Sequence, residues 1–289
     1  MRFEIEVAPL DLDLTLGCGQ TFRWRRNQDG SWSGIVDDQL VCLRQKGPML
    51  RVEADPGGRG TEESVLGLLR AQDSISLIQR RLRTDPVLAI GMKRLKGLRI
   101  VKLDEWECLI SYALATYANI PRIMKMVESL ATNYGRRIAQ GAFSFPDHKQ
   151  LSRATAMELR GLGLGYRAEY ITGICQAVDE SKLLSFSKAP YTKLRTELVE
   201  LPGVGEKVAD CVCLFGFGKL ESFPIDVWIE RALKRLYGEK GTYRKLREFA
   251  SERFGEYAGY AQEYLYYNER MHARDLGCVF SQEGCKGAV

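Results

Sequence analysis

The stretch Leu201-Pro202-Gly203-Val204-Gly205 constrains this chain more than any other, because it forces a tight reversal between two segments of helical pattern. Proline fixes φ and glycine accepts positive φ, so the chain can turn within a few residues and restart as a helix. Thr192 to Leu201 supplies the pattern before the turn, and Glu206-Lys207-Val208-Ala209-Asp210-Cys211 the pattern after it. The backbone N–H groups of Gly203, Val204 and Gly205 then point outward at a helix N-terminus, a ready seat for a phosphate. A glycine-rich connection that only packs two helices fits the same residues. Lys207 falls in the first turn of the second helix, and Phe223-Pro224-Ile225-Asp226 opens the next one.

At 289 residues, with 45% hydrophobic and 27% charged residues, the chain suits one large domain or two modest ones with a substantial core. No apolar run reaches spanning length, and Met1 to Val7 alternates like a strand where a signal peptide would be continuously apolar. A cytoplasmic protein is the default, associated with the nucleoid, or nuclear in a eukaryote. The formal charge of +5 is compatible with nucleic acid and with many enzymes of small metabolites. Eight cysteines lack the rhythm of a disulfide scaffold. Cys278 and Cys285 invite a metal reading, but two thiols with no third or fourth ligand downstream cannot close a tetrahedral site. No metal is expected.

An α+β organisation follows from the periodicities: an N-terminal antiparallel sheet domain with a few helices over residues 1–103, and a mostly α-helical domain over 104–289. Residues 1 to about 55 read as antiparallel strands, with Phe3, Ile5 and Val7 alternating and Asp37-Asp38 marking a turn. Asp104 reads as the N-cap of a helix from Glu105 to Ala115. Further helices are expected at Pro121 to Gln140, Arg153 to Leu162, Tyr166 to Glu180, 226 to 237, 243 to 254 and 257 to 273, with a loosely ordered tail from Cys278.

Lys207 and Asp226 carry the chemistry. A lone helical lysine is usually a solvated charge, yet Val204, Val208, Cys211 and Val212 surround this one with an apolar face. An amine partly withdrawn from water is more readily neutral, hence a nucleophile able to form a Schiff base with a sugar carbon. Asp226 fits a plain helix N-cap. The same position also suits a carboxylate that stabilises positive charge developing on a deoxyribose as its glycosidic bond breaks.

Leu201 to Cys211 and Pro224-Ile225-Asp226-Val227 resemble the helix-hairpin-helix DNA glycosylases, specifically the 8-oxoguanine DNA glycosylase branch. Gly19-Gln20-Thr21-Phe22-Arg23-Trp24-Arg25, Leu162-Gly163-Leu164-Gly165-Tyr166-Arg167-Ala168 and Tyr257-Ala258-Gly259-Tyr260-Ala261-Gln262 extend the likeness over nearly the whole chain, in the family's order. The resemblance implies a cofactor-free, monomeric glycosylase and apurinic-site lyase acting on double-stranded DNA that contains 8-oxoguanine. Lys207 matches the nucleophile and Asp226 the catalytic aspartate. Base flipping brings the damaged nucleotide into a pocket. Residues matching Gly19, whose carbonyl accepts the extra N7 proton, Gln262 on the pairing edge, and Cys211 with Tyr266 on the two faces would line it. Without the resemblance, Gly19 fits a bulge, Cys211 a core thiol and Tyr266 a packing aromatic.

Two positions depart from the family pattern. Where it usually has an asparagine triplet that fills the gap and reads the opposite cytosine, this chain has Tyr117-Ala118-Asn119, followed by a matching Arg122. With Tyr166 these are the expected duplex contacts. Stacking by Tyr117 tolerates any base, which predicts a weaker preference for cytosine opposite the lesion. Trp228 stands where the family has a histidine, and an indole cannot both accept and donate a proton. The catalytic pair alone leaves open another damaged purine as substrate, and the hairpin alone a non-catalytic DNA-binding protein.

Overall fold

Alternation at the N-terminus becomes one antiparallel sheet. Strands β1 (Arg2–Glu6), β2 (Arg25–Arg26), β3 (Trp32–Val36), β4 (Gln39–Lys46) and β5 (Met49–Asp55) lie in the order β1-β5-β4-β3-β2. The register pairs Ile5 with Leu50, Leu43 with Val52 and Val41 with Ala54, so all six side chains share the buried face. Asp37 and Asp38 join β3 to β4 with φ of 45° and 59°, the two-residue hairpin geometry that matches the twist of a sheet. The structure is a computed structural model that describes the backbone of residues 1–283 and the side chains of residues 1–273.

The first 55 residues are not all strand. Helix α1 (Leu12–Gly17) interrupts them, started by Asp11, whose carboxylate accepts from the Leu14 N–H at 2.9 Å. Six residues are too few for a helical period to stand out against flanking alternation. Helices α2 (Thr61–Leu68), α3 (Ile75–Leu82) and α4 (Pro86–Arg94) follow, with α2 packed on β3 and α3 on α4.

Asp104 caps α5 (Glu105–Leu114) as expected, accepting from the Glu107 N–H at 2.8 Å. The long helix expected from Pro121 to Gln140 ends early. Helix α6 (Ile120–Tyr134) stops at Gly135, and Arg136 pairs with Ser144 through bonds of 2.9 and 2.8 Å. This folds β6 (Arg137–Ala139) and β7 (Ala142–Phe143) into a small hairpin. Beyond it come α7 (His148–Leu151), α8 (Ala156–Gly161), α9 (Arg167–Ala177) and α10 (Glu180–Lys188). The helix expected from Tyr166 to Glu180 is therefore two, because Asp179 accepts from the Lys182 N–H at 2.7 Å and starts a new one.

The hairpin helices are α11 (Tyr191–Val199) and α12 (Glu206–Cys211), the latter running on as a π-helical turn, Val212–Gly216. Helices α13 (Val227–Tyr237), α14 (Tyr243–Phe254) and α15 (Ala258–Glu283) complete the fold. Helix α15 extends past the expected end near 273; Cys285, the rest of the expected loose tail and the side chain of Cys278 lie outside the described residues. No helix among the described residues is long and apolar enough to cross a membrane.

The turn after α1, the segment at 99–101 and helix α5 are tied together at one point that matters for the site. The buried Gln20 amide donates to the Arg99 carbonyl and accepts from the Val101 N–H, each at 2.9 Å. Its own carbonyl accepts from the Tyr112 hydroxyl of α5 at 3.0 Å.

Candidate active site

The reversal between α11 and α12 is held by its glycines and by one aromatic ring. Gly203 has φ +73°, and a Cβ there would sit 2.3 Å from the Tyr170 ring, so only glycine lets α9 approach. Gly205 begins α12 with no side chain capping it, which leaves the first N–H groups of the helix for an external acceptor. The turn and its outward-facing N–H groups are those expected from Pro202, Gly203 and Gly205; the Tyr170 contact is not legible in the sequence.

Behind the hairpin lies a buried polar hub that sequence reading did not single out. Asp210, with no exposed surface, accepts from the hydroxyls of Tyr191 (2.6 Å), Tyr243 (2.7 Å) and Ser222 (3.2 Å) and from the Arg195 Nε (3.2 Å). Tyr243 also accepts from the Ile225 N–H at 3.2 Å. A single carboxylate thus connects α11, α12 and α14 with the residue directly before Asp226.

Lys207, Cys211, Asp226, Gly19, Gln262 and Tyr266 converge on one cavity of about 60 Å³, together with Gln20, Tyr112, Phe215, Pro224 and Glu263. All six residues named from sequence for the catalytic pair and the base pocket are among its walls. The half-buried Lys207 places its amine 5.4 Å from the centre of the Tyr112 ring, a cation–π contact worth about 0.5–2 kcal/mol. Burial pushes the Cys211 thiol up to about 12 against the opposing pull of Lys207, so this sulfur is a neutral thiol beside the amine.

Asp226 is the N-cap of α13: its Oδ1 accepts from the Trp228 and Ile229 N–H groups at 3.0 and 2.9 Å. The cap leaves Oδ2 out of those bonds. Capping and facing the cavity are compatible in one side chain. The Trp228 ring itself stacks with Arg231, whose guanidinium carbon lies 5.2 Å from the ring.

Gly19 is not a bulge in a strand; it follows α1 at φ +104°. A Cβ there would come within 2.9 Å of Ile120 and 3.5 Å of Arg270. The cavity wall at Gly19 therefore abuts Ile120, the first residue of α6, which places the loop carrying Tyr117 next to the cavity.

That loop is held by hydrogen bonds at both ends. Tyr117 is 96% exposed at φ 49°, a left-handed conformation costly for an aromatic residue. The preceding Thr116 carbonyl accepts from the Tyr166 hydroxyl at 3.1 Å and from two nitrogens of the buried Arg167, Nε at 3.0 Å and Nη2. Asn119 caps α6 by accepting from the Arg122 N–H at 3.0 Å, and the Arg122 side chain is exposed. Among the expected duplex contacts, Tyr117 and Arg122 stand free on the surface, while Tyr166 and Asn119 are engaged in holding the loop.

A larger cleft, about 900 Å³, is lined by Trp24, Asp104, Trp106 and His148, among others, and holds neither Lys207 nor Asp226. Among the described residues no group of three or more His, Cys, Asp or Glu is placed to hold a metal ion.

Hairpin, amine, carboxylate and shared cavity are the combination expected of a helix-hairpin-helix glycosylase. In agreement, the model of the HhH-GPD superfamily of base excision DNA repair proteins matches residues 112–256, and that of the 8-oxoguanine DNA glycosylase N-terminal domain residues 2–109. The N-glycosylase/DNA lyase OGG1 of Arabidopsis thaliana is 34% identical over 94% of this chain and 81% of its own length. The N-glycosylase/DNA lyase of Saccharomyces cerevisiae is 34% identical over 93% and 85%. Among solved structures, MBOgg1 with a low-affinity DNA ligand superposes with a TM-score of 0.88 at 30% identity, covering 94% of this chain and 96% of that one. The Clostridium acetobutylicum 8-oxoguanine glycosylase/lyase, bound to duplex DNA with cytosine opposite 8-oxoguanine, gives 0.87 at 26% identity, covering 94% and 98%. The chain belongs to the 8-oxoguanine DNA glycosylase family.

Proposed function

We infer that this protein is a bifunctional DNA glycosylase and apurinic-site lyase that removes 8-oxoguanine from duplex DNA. The observation that carries the reading is the convergence of Lys207, Asp226, Gly19 and Gln262 on one cavity beside the phosphate-seating hairpin. Gly203, Val204 and Gly205 hold a backbone phosphate of the damaged strand, and Tyr117 fills the gap left by the extruded nucleotide. Gly19 offers a carbonyl to the N7 proton that only the oxidised base carries. Guanine would set acceptor against acceptor there and lose a hydrogen bond while desolvating both groups. Gln262 addresses the pairing edge, and Cys211 and Tyr266 the two faces.

Lys207 then attacks C1′: the nitrogen–carbon bond forms as the glycosidic bond breaks, and its electron pair leaves with the base. The Asp226 carboxylate stabilises the positive charge that develops on the sugar. The covalent sugar opens to a Schiff base, a C2′ proton is lost, and the 3′ phosphate departs by β-elimination. Residues from this chain alone supply each role, and one copy suffices to grip one nucleotide.

Base excision measured on duplexes carrying 8-oxoguanine opposite each of the four bases, beside an undamaged control, tests this reading. Excision from damaged duplexes with at most a several-fold advantage for cytosine is expected, because Tyr117 stacks where the family has asparagine. No release of 8-oxoguanine from any duplex would contradict the substrate, and a strong bias to cytosine the role of Tyr117.

A further inference from the structure

Helix α15 puts two consecutive side chains, Gln262 and Glu263, into the wall of the catalytic cavity, and each carries a buried oxygen with no hydrogen-bond partner. Among the described residues only four buried side-chain nitrogen or oxygen atoms lack a partner, and two of them meet here. Native structures rarely leave such atoms unpaired, so their concentration marks a cavity built to receive polar groups from another molecule. Gln262 is accounted for by the pairing edge of the base. Glu263 is not accounted for.

Glu263 is buried, with only 3% of the residue exposed. Arg270, on the same helix, directs Nη1 to the Cys18 carbonyl (2.5 Å) and the Tyr266 hydroxyl (3.3 Å) instead of to the Glu263 carboxyl. The charged and titratable groups around Glu263 are Cys18 from the turn after α1, Tyr112 of α5, Lys207 of α12, Asp226, and Tyr266 and Arg270 of its own helix. Burial pushes the Glu263 carboxyl up to about 8; Cys18 and Arg270 pull against this and the Asp226 carboxylate adds to it. A carboxylic acid that keeps its proton can donate a hydrogen bond, which a carboxylate cannot.

We propose that Glu263 is a specificity-determining residue that, as a neutral carboxylic acid, donates a hydrogen bond to an acceptor atom of the extruded oxidised purine. This deepens the 8-oxoguanine reading and rests on it. The bond strengthens as the glycosidic bond breaks, because the electron pair leaving with the base raises the negative charge on its acceptors. The proton stays on Glu263 throughout. An ionised Glu263 would place a second carboxylate beside Asp226 and repel the departing base.

Single-turnover excision of 8-oxoguanine and nicking of a pre-formed abasic site, measured with wild type, E263A and E263Q, test the proposal. E263A is expected to slow excision about tenfold, the worth of one hydrogen bond, while nicking at the abasic site, where no base fills the cavity, changes less than about twofold. E263Q keeps a donor that cannot ionise; it restores excision to within about threefold and sustains it above pH 8, where wild-type excision declines. Equal losses in both reactions, no loss in either, or an E263Q no better than E263A at pH 7 would overturn it. A wild-type protein that nicks abasic sites but releases no 8-oxoguanine overturns the substrate reading, and the proposal with it, before any variant is compared.

Discussion

Asp226 caps α13 and, in the proposed mechanism, also stabilises the developing cation; a single substitution separates the two roles. Asparagine caps helices about as well as aspartate, so D226N keeps the Oδ1 bonds to Trp228 and Ile229. Denaturant unfolding of D226N is expected to stay within about 0.5 kcal/mol of wild type. Its base excision should fall about 10²- to 10³-fold, because the charge that stabilises the developing cation is gone. Parallel losses in stability and activity would reduce Asp226 to a cap. Lys207 and Asp226 were legible in the sequence because a turn of fixed geometry and a capping position place them locally. Gln20, Tyr112 and Glu263 were not, since each reaches the cavity only through packing between distant segments. Glu263 did leave one trace, an acid among the buried Tyr260, Ala261, Tyr264 and Leu265 of α15.

At the scale of elements, the hairpin is a braced unit. Asp210 ties α11, α12 and α14 together, and through Tyr243 it reaches the backbone just before Asp226. D210N would weaken the charge-assisted bonds that Asp210 accepts from the half-buried Arg195, which keeps Glu206 as its other ion-pair partner, at a cost of about 1.5–3 kcal/mol. Urea unfolding measures this directly; a loss below about 1 kcal/mol would mean that the hub does not hold the hairpin. The hairpin was readable because proline and glycine chemistry is local, and the sheet because its period-two pattern survives in the observed register. Helix ends were less readable. Gly135 resembled an interior residue of a long helix until Arg136 met Ser144, and Asp179 restarted a helix inside a continuous pattern. The loop at Tyr117 depends on Arg167, fifty-one residues away, holding the Thr116 carbonyl, a contact that no local pattern reveals.

For the molecule as a whole, the buried acid in the cavity links stability to pH. Glu263 titrates near 8 in the fold against an ordinary value of 4.5, so the folded state holds a proton that the unfolded chain releases. Its contribution is fully present below 4.5 and is lost as pH rises toward 8, a change of a few kcal/mol. E263Q cannot ionise and should flatten that window, becoming more stable than wild type at pH 8 in chemical denaturation. Identical pH profiles for the two proteins would place the acid in a wetter site. In the proposed function, the cavity that gathers Lys207 and Asp226 forms a covalent bond to a sugar. Borohydride trapping on a duplex containing 8-oxoguanine tests that most directly. Wild type should yield a stable protein–DNA adduct and K207Q none; an adduct that persists in K207Q, or none with wild type, would contradict the account.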